Sequence, residues 1–156
     1  IAHRIGLLGQ LSGRDKWRVL QASDALVLPS VNHTESFGQV LVEAQLCGKP
    51  TIITDIRGGP TEVAPPNEVS LLIPPADAHK LAQAIGLLMT DEGLRRRLGE
   101  AGRKRAHALY TREAVDEKIR TLFREVAATL PSNKAGSQPQ FRTGRQVKGV
   151  SRVGLN

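Results

Sequence analysis

Three short apolar runs, "ALVLP" at residues 25–29, "TIIT" at 51–54 and "SLLIP" at 70–74, are each followed by a turn and then by a stretch of helical periodicity. That rhythm constrains the fold more than any other feature of the chain. A continuous run of branched aliphatic residues, without polar alternation, is what a strand covered on both faces requires. Strands that alternate with helices pair in parallel, because each crossover helix returns the chain to the same end of the sheet. The expected class is α/β, a parallel sheet with helices on both faces.

The remaining elements follow from period and punctuation. Residues 4–8 read as a further strand ending at Gly9, and residues 15–22 as a short helix with Trp17, Leu20 and Ala22 turned inward. A polar loop at 30–36 precedes a helix over 37–47, with Gly48 in the left-handed position just past its end and Pro50 preventing continuation. Pro60 suits the first position of a helical turn through Glu62 and Val63. Asp77 is placed to cap a helix carrying Leu81, Ile85 and Leu88. One further helix carries Leu94, Leu98 and Ala101, and another opens at Thr111.

A length of 156 residues suits one domain. No run approaches the roughly 20 apolar residues of a membrane span, and no charged-then-apolar leader opens the chain. The one cysteine, Cys47, has no internal partner, which fits a reducing compartment. The net charge of +7 suggests a nucleic-acid partner until its distribution is read. Five of the 22 basic residues (Lys134, Arg142, Arg145, Lys148 and Arg152) lie from Pro131 onward, where no acidic residue occurs; the first 130 residues hold 17 basic against 15 acidic. Residues 131–156 have little apolar content and no period, and read as a basic, disordered tail beside a body at 1–130. The opening "IAHRIGLLGQ" lacks an initiating methionine and enters an apolar run almost at once, as the back part of a longer polypeptide would.

A site can be derived from the residues. In an open parallel sheet, ligands sit beyond the carboxyl ends of the strands. The loop at 30–36 is at such an end, and the helix after it starts at Phe37 and Gly38. The first N–H groups of a helix lack intrahelical partners and attract anions, and a glycine there lets a phosphate approach the backbone. Glu35 precedes this helix start, and Glu43 lies about five residues inside it, a rise of roughly 7.5 Å. Carboxylates suit hydroxyls, since each oxygen accepts and a vicinal diol offers two donors. A sugar nucleotide, with its ribose diol, diphosphate and sugar hydroxyls, could meet both. The bland alternative is that Gln39 and Glu43, one turn apart, mark a solvated edge of the helix.

The segment "ASDALVLPS…ESFGQVLVEAQLCGKPTIITDIRGGPTEV…SLLIPPAD…LAQAI" resembles the C-terminal, donor-binding domain of retaining GT-B glycosyltransferases of the family-4 type, glycosyl transferases group 1. The likeness extends over about residues 4–123, and Glu35 and Glu43 match that family's E-x7-E motif. It implies a Rossmann-like sheet, an incomplete GT-B C-terminal half, with residues 1–130 as the donor-binding domain. It implies that Glu35 orients the donor sugar through its hydroxyls. It implies further that the backbone around Ser36, Phe37, Gly38 and Gln39 contacts the sugar and diphosphate, that Glu43 binds the ribose diol, and that Gly9 and Gln10 lie near the nucleobase. Ser36 stands where the family often has glycine. Gly58 and Gly59 match a Gly-Gly turn whose expected role is to turn the chain sharply, with Glu62 bracing it.

By the same resemblance, the whole protein moves a sugar from a nucleotide diphosphate sugar, as substrate and not cofactor, to an acceptor hydroxyl with retention. The acceptor domain and the Arg and Lys that neutralise the leaving diphosphate lie upstream, so this piece alone is expected to be inactive. Alternatives are another GT-B enzyme, such as a nucleotide-sugar epimerase, or a noncatalytic remnant or binding module. No metal-ligand cluster is visible, and His33 reads as a loop residue. The basic clusters Arg95, Arg96, Arg97 and Arg103, Lys104, Arg105 read as a solvated helix face rather than a nucleic-acid surface. The expected compartment is the cytoplasm, with the inner membrane surface as a place of peripheral contact for the whole protein.

Overall fold

The computed structural model describes residues 2–32, 34–56 and 58–129; the basic tail expected at 131–156 and His33 lie outside the described residues. After a 3-10 turn at Ala2–Arg4, the elements run α1 (Gly13–Ala22), β1 (Leu26–Leu28), α2 (Gln39–Leu46), β2 (Thr51–Thr54), α3 (Gly59–Val63), β3 (Ser70–Ile73), α4 (Ala78–Thr90), α5 (Glu92–Leu109) and α6 (Arg112–Thr129). The three strands form one parallel sheet in the order β1-β2-β3, in register Leu26 with Thr51 and Thr51 with Ser70.

The sheet has two apolar faces because side chains alternate along a strand. Ile53 packs with Leu41, Val42, Val63 and Val69 against α2 and α3. Ile52, one residue earlier, packs with Ile73, Ala84, Leu88 and Leu98 against α4 and α5. Withdrawing each such aliphatic side chain from water contributes about 1.5–3 kcal/mol. The buried hydroxyls of β2 and β3 are satisfied: Thr51 donates to the Val69 carbonyl, Thr54 to the Ser30 carbonyl and Ser70 to the Ala64 carbonyl. The Thr54 bond matters for the site, since it ties the end of the central strand to the loop after β1.

Position in the sheet corrects the expectation that the runs at 25–29 and 70–74 are buried strands. The strand covered on both faces is β2, with all four residues buried. β1 and β3 each pair on one side, so β1 is half-buried throughout and Leu72 stands exposed. Residues 4–8 do not form a strand. A strand needs a partner for its backbone groups, and none of the described strands pairs there, so Ile5, Leu7 and Leu8 stand exposed. In α1 only Leu20 is buried, whereas Trp17 and Ala22 face solvent.

Several boundaries fall where their chemistry put them. Asp77 accepts from the Lys80 N–H at 2.8 Å at the start of α4. Gly48 takes φ 70° and closes α2, its N–H donating to the Gln45 carbonyl at 2.8 Å. The Thr111 hydroxyl accepts from the Ala114 N–H as α6 begins. α6 itself buries none of its residues.

The arginines of α5 have structural work. Arg95 donates to the Leu88 and Met89 carbonyls at the end of α4, and Arg105 donates to those of Glu62 and Val63 at the end of α3. Cations there complement the negative ends of those helices.

Candidate functional site

The helix expected at 37–47 begins two residues later, because Gly38 adopts a left-handed conformation (φ 78°, ψ 52°) as its N-cap. A side chain at this position would be strained by the positive φ, and its Cβ would stand 2.7 Å from Leu41 Cδ1. No side chain on the N-cap residue caps the helix. Glu35 reaches forward instead, and its Oε1 accepts from the Gly38 N–H at 2.8 Å. That bond folds the loop over the helix start and leaves the second carboxylate oxygen available.

A second glycine fixes the loop from behind. Gly59 approaches so closely that a Cβ on it would lie 2.0 Å from the Ser36 carbonyl oxygen and 2.6 Å from Phe37 Cα. Gly58 beside it takes φ 126° and ψ −154°, a conformation open almost only to glycine. The expectation that this Gly-Gly turn is structural fits the geometry. Thr61 does the bracing assigned to Glu62: its hydroxyl and N–H both donate to the Gly58 carbonyl, at 2.8 and 3.1 Å, while the Glu62 side chain is exposed.

The helix start opens onto a groove of about 530 Å³ lined by residues 35–39, Val42, Tyr110 and Val115. This volume lies within the range of small-molecule sites. Phe37 meets the Tyr110 ring edge-to-face at 5.9 Å and stands half exposed. Tyr110, at the end of α5, is a wall of the groove that sequence reasoning missed; no local motif marks it.

Glu43 does not line this groove. Its carboxylate turns to α1, where Oε1 meets Lys16 Nζ at 2.5 Å. With its side chain only 12% exposed, Glu43 is no solvated edge, whereas Gln39, one turn earlier, is exposed. Lys16 was also missed, since nothing nearby in sequence distinguishes it. Gly9 and Gln10 lie in the exposed segment leading into α1, outside the groove. The five groove residues at 35–39 are thus brought together, and Glu43 stands on the side of α2 that faces α1. A separate cavity of about 480 Å³, between β1 and α4, is lined by Val27, Ile52 and Leu88 with Asp24 and Arg95, and holds none of these residues.

Cys47, at the end of α2, is half-buried. Loss of hydration pushes its thiol pKa upward, Glu43 adds to the rise, and Lys49 and Arg103 partly oppose it. Its alkylation by iodoacetamide should therefore be slower than that of free cysteine at neutral pH, with the pH midpoint of the rate displaced upward. A midpoint at or below that of free cysteine would contradict this assignment. Among the described residues, no group of three His, Cys, Asp or Glu side chains could hold a metal ion, and no helix is long and apolar enough to cross a membrane.

A parallel sheet flanked by helices, with a helix start over a groove at the end of its first strand, defines the α/β class in which ligands sit beyond the carboxyl ends of the strands. Within that class the chain belongs to the glycosyl transferases group 1 family, whose model matches residues 1–105. It is 41% identical over 105 residues to the exopolysaccharide phosphotransferase SCO2592 of Streptomyces coelicolor, covering 65% of this chain and 11% of that protein. It is 33% identical over 127 residues to the D-inositol 3-phosphate glycosyltransferase of Corynebacterium diphtheriae, covering 81% of this chain and 29% of that protein. Among solved structures, the sucrose-phosphate synthase of Thermosynechococcus elongatus superposes with a TM-score of 0.70 at 35% identity, over 82% of this chain and 31% of that one. Anabaena HepE in complex with UDP-glucose shares the fold, with a TM-score of 0.64 at 24% identity over 72% of this chain and 30% of that one. The architecture is that of the GT-B glycosyltransferases. None of these relatives is named as an epimerase, so that alternative finds no support in them. The chain spans less than a third of the length of each.

Proposed function

We propose that residues 1–130 form the donor-nucleotide half of a glycosyltransferase, which moves a sugar from a nucleotide diphosphate sugar to an acceptor hydroxyl with retention at the anomeric carbon. The observation that carries this reading is the open start of α2 over the groove, with Gly38 in the left-handed conformation and Glu35 folded across it. The diphosphate lies against the first N–H groups of α2, where unpaired donors and the helix dipole favour negative charge. Glu35 spends one oxygen on the Gly38 N–H and offers the other to the hydroxyls of the donor sugar, so it orients the donor. Glu43 Oε2, which makes no hydrogen bond among the described residues, accepts from the ribose diol. Gly9 and Gln10, just ahead of α1, stand near the nucleobase.

As the bond to the leaving phosphate breaks, positive charge spreads over the sugar ring and negative charge builds on the diphosphate. The helix start supplies part of the stabilisation for that negative charge. The cationic groups that complete it, and the acceptor site, belong to the rest of the protein, so this chain alone binds donor without turning it over. The noncatalytic binding-module reading has no specific observation among the described residues in its favour.

Calorimetric titration of UDP and of GDP into the full-length protein tests the proposal. One of the two should bind saturably, and Glu43→Ala should weaken it about 10- to 100-fold, the worth of hydrogen bonds to a charged acceptor. No saturable binding of either nucleotide would overturn it. The anomeric configuration of the product, read by NMR, tests retention separately.

A further inference from the structure

We propose that Lys16 is a positioning residue for the nucleotide, acting through Glu43; the inference rests on the reading above that Glu43 takes the ribose diol. Three observations combine. Lys16 Nζ meets Glu43 Oε1 at 2.5 Å across 27 residues of sequence, joining α1 to α2. The Glu43 side chain is 12% exposed, so packing around it and its contact with Lys16 together limit where the carboxylate can turn. Oε2 makes no hydrogen bond among the described residues, and the side chain keeps part of its surface at the protein exterior.

A carboxylate with one oxygen fixed by an ammonium has its plane and rotamer set before the ligand arrives. Its other oxygen then meets a diol without the entropic cost of ordering a free side chain. Lys16 also lies on the helix that follows Gly9 and Gln10. An ammonium free to leave Glu43 for the diphosphate would give the opposite behaviour, competition in place of support.

The test compares UDP and GDP with their 2′,3′-dideoxy counterparts in the full-length protein, taking the ratio of the two affinities as the readout. Loss of fold would weaken ribo and dideoxy forms alike and leave the ratio unmoved. Lys16→Met should lower the ratio about 10-fold while leaving the dideoxy affinity unchanged. Lys16→Arg, which keeps charge and donors, should retain most of it. Lys16→Ala replaces Lys16→Met should the latter not fold. If Glu43→Gln collapses the ratio and the Lys16 variants do not, the positioning role is overturned while the ribose reading stands. An increase in ribonucleotide affinity on Lys16→Met overturns it equally. If Glu43→Gln itself leaves the ratio unchanged, the ribose reading falls and takes this inference with it.

Discussion

Replacing Gly59 by alanine is expected to disable the groove while most of the sheet survives. The added Cβ would stand 2.0 Å from the Ser36 carbonyl oxygen and 2.7 Å from its carbon, both backbone atoms. No rotamer change relieves such a contact, so the loop must shift by about 1 Å, a displacement that can cost on the order of 100-fold in rate when it misplaces bound groups. Overpacking of this kind costs about 1–3 kcal/mol in stability. Gly58→Ala is the informative comparison. Nothing lies within 4 Å of its added Cβ, so the cost is backbone strain of about 1–3 kcal/mol without direct collision with the loop. Nucleotide titration together with thermal unfolding separates the two. A Gly59→Ala protein that binds as tightly as the unsubstituted one would show that the close approach does not position the site.

The second large effect is expected at Gly99, in the middle of α5. Alanine is worth about 1 kcal/mol more than glycine in a helix interior, so propensity alone predicts stabilisation. Packing predicts the reverse, because the added Cβ would lie 2.2 Å from the Gly48 carbonyl oxygen. Gly48 cannot yield easily: it holds the left-handed turn that ends α2, and Lys49 and Pro50 lead at once into the central strand. Gly99→Ala should therefore lose about 1–3 kcal/mol, or roughly 2–4 °C of melting temperature for each kcal/mol in a chain of this size. Gly86→Ala on α4, with nothing within 4 Å of its new Cβ, should gain up to about 1 kcal/mol. Scanning calorimetry of the two variants reads both signs. A stabilised Gly99→Ala would mean that α5 does not lie as close to Gly48 as the structure places it.

Much of the site's frame was legible because it depends on neighbours in the chain. The aliphatic run Ile52–Ile53, the stop at Gly48 and the cap at Asp77 act within a few residues, and their chemistry is the same wherever the element sits. Glu35 was legible as a group near the helix start, although not its bond to Gly38. The apolar run at 4–8 misled for a related reason. Apolar content states that a segment would suit a sheet, whereas a strand exists only where a second backbone satisfies its N–H and C=O groups.

By itself, the sequence determined the parallel α/β order, the glycine at the start of α2 and the family to which the chain belongs. These rest on period, punctuation and motif spacing, all local or linear properties. Only the tertiary structure decided which strand is central, that Gly59 abuts Ser36, that Tyr110 walls the groove, and that Glu43 answers to Lys16. Each of those depends on which distant side chains the packing of helices on the sheet brings within a few ångströms, and no spacing along the chain encodes that distance.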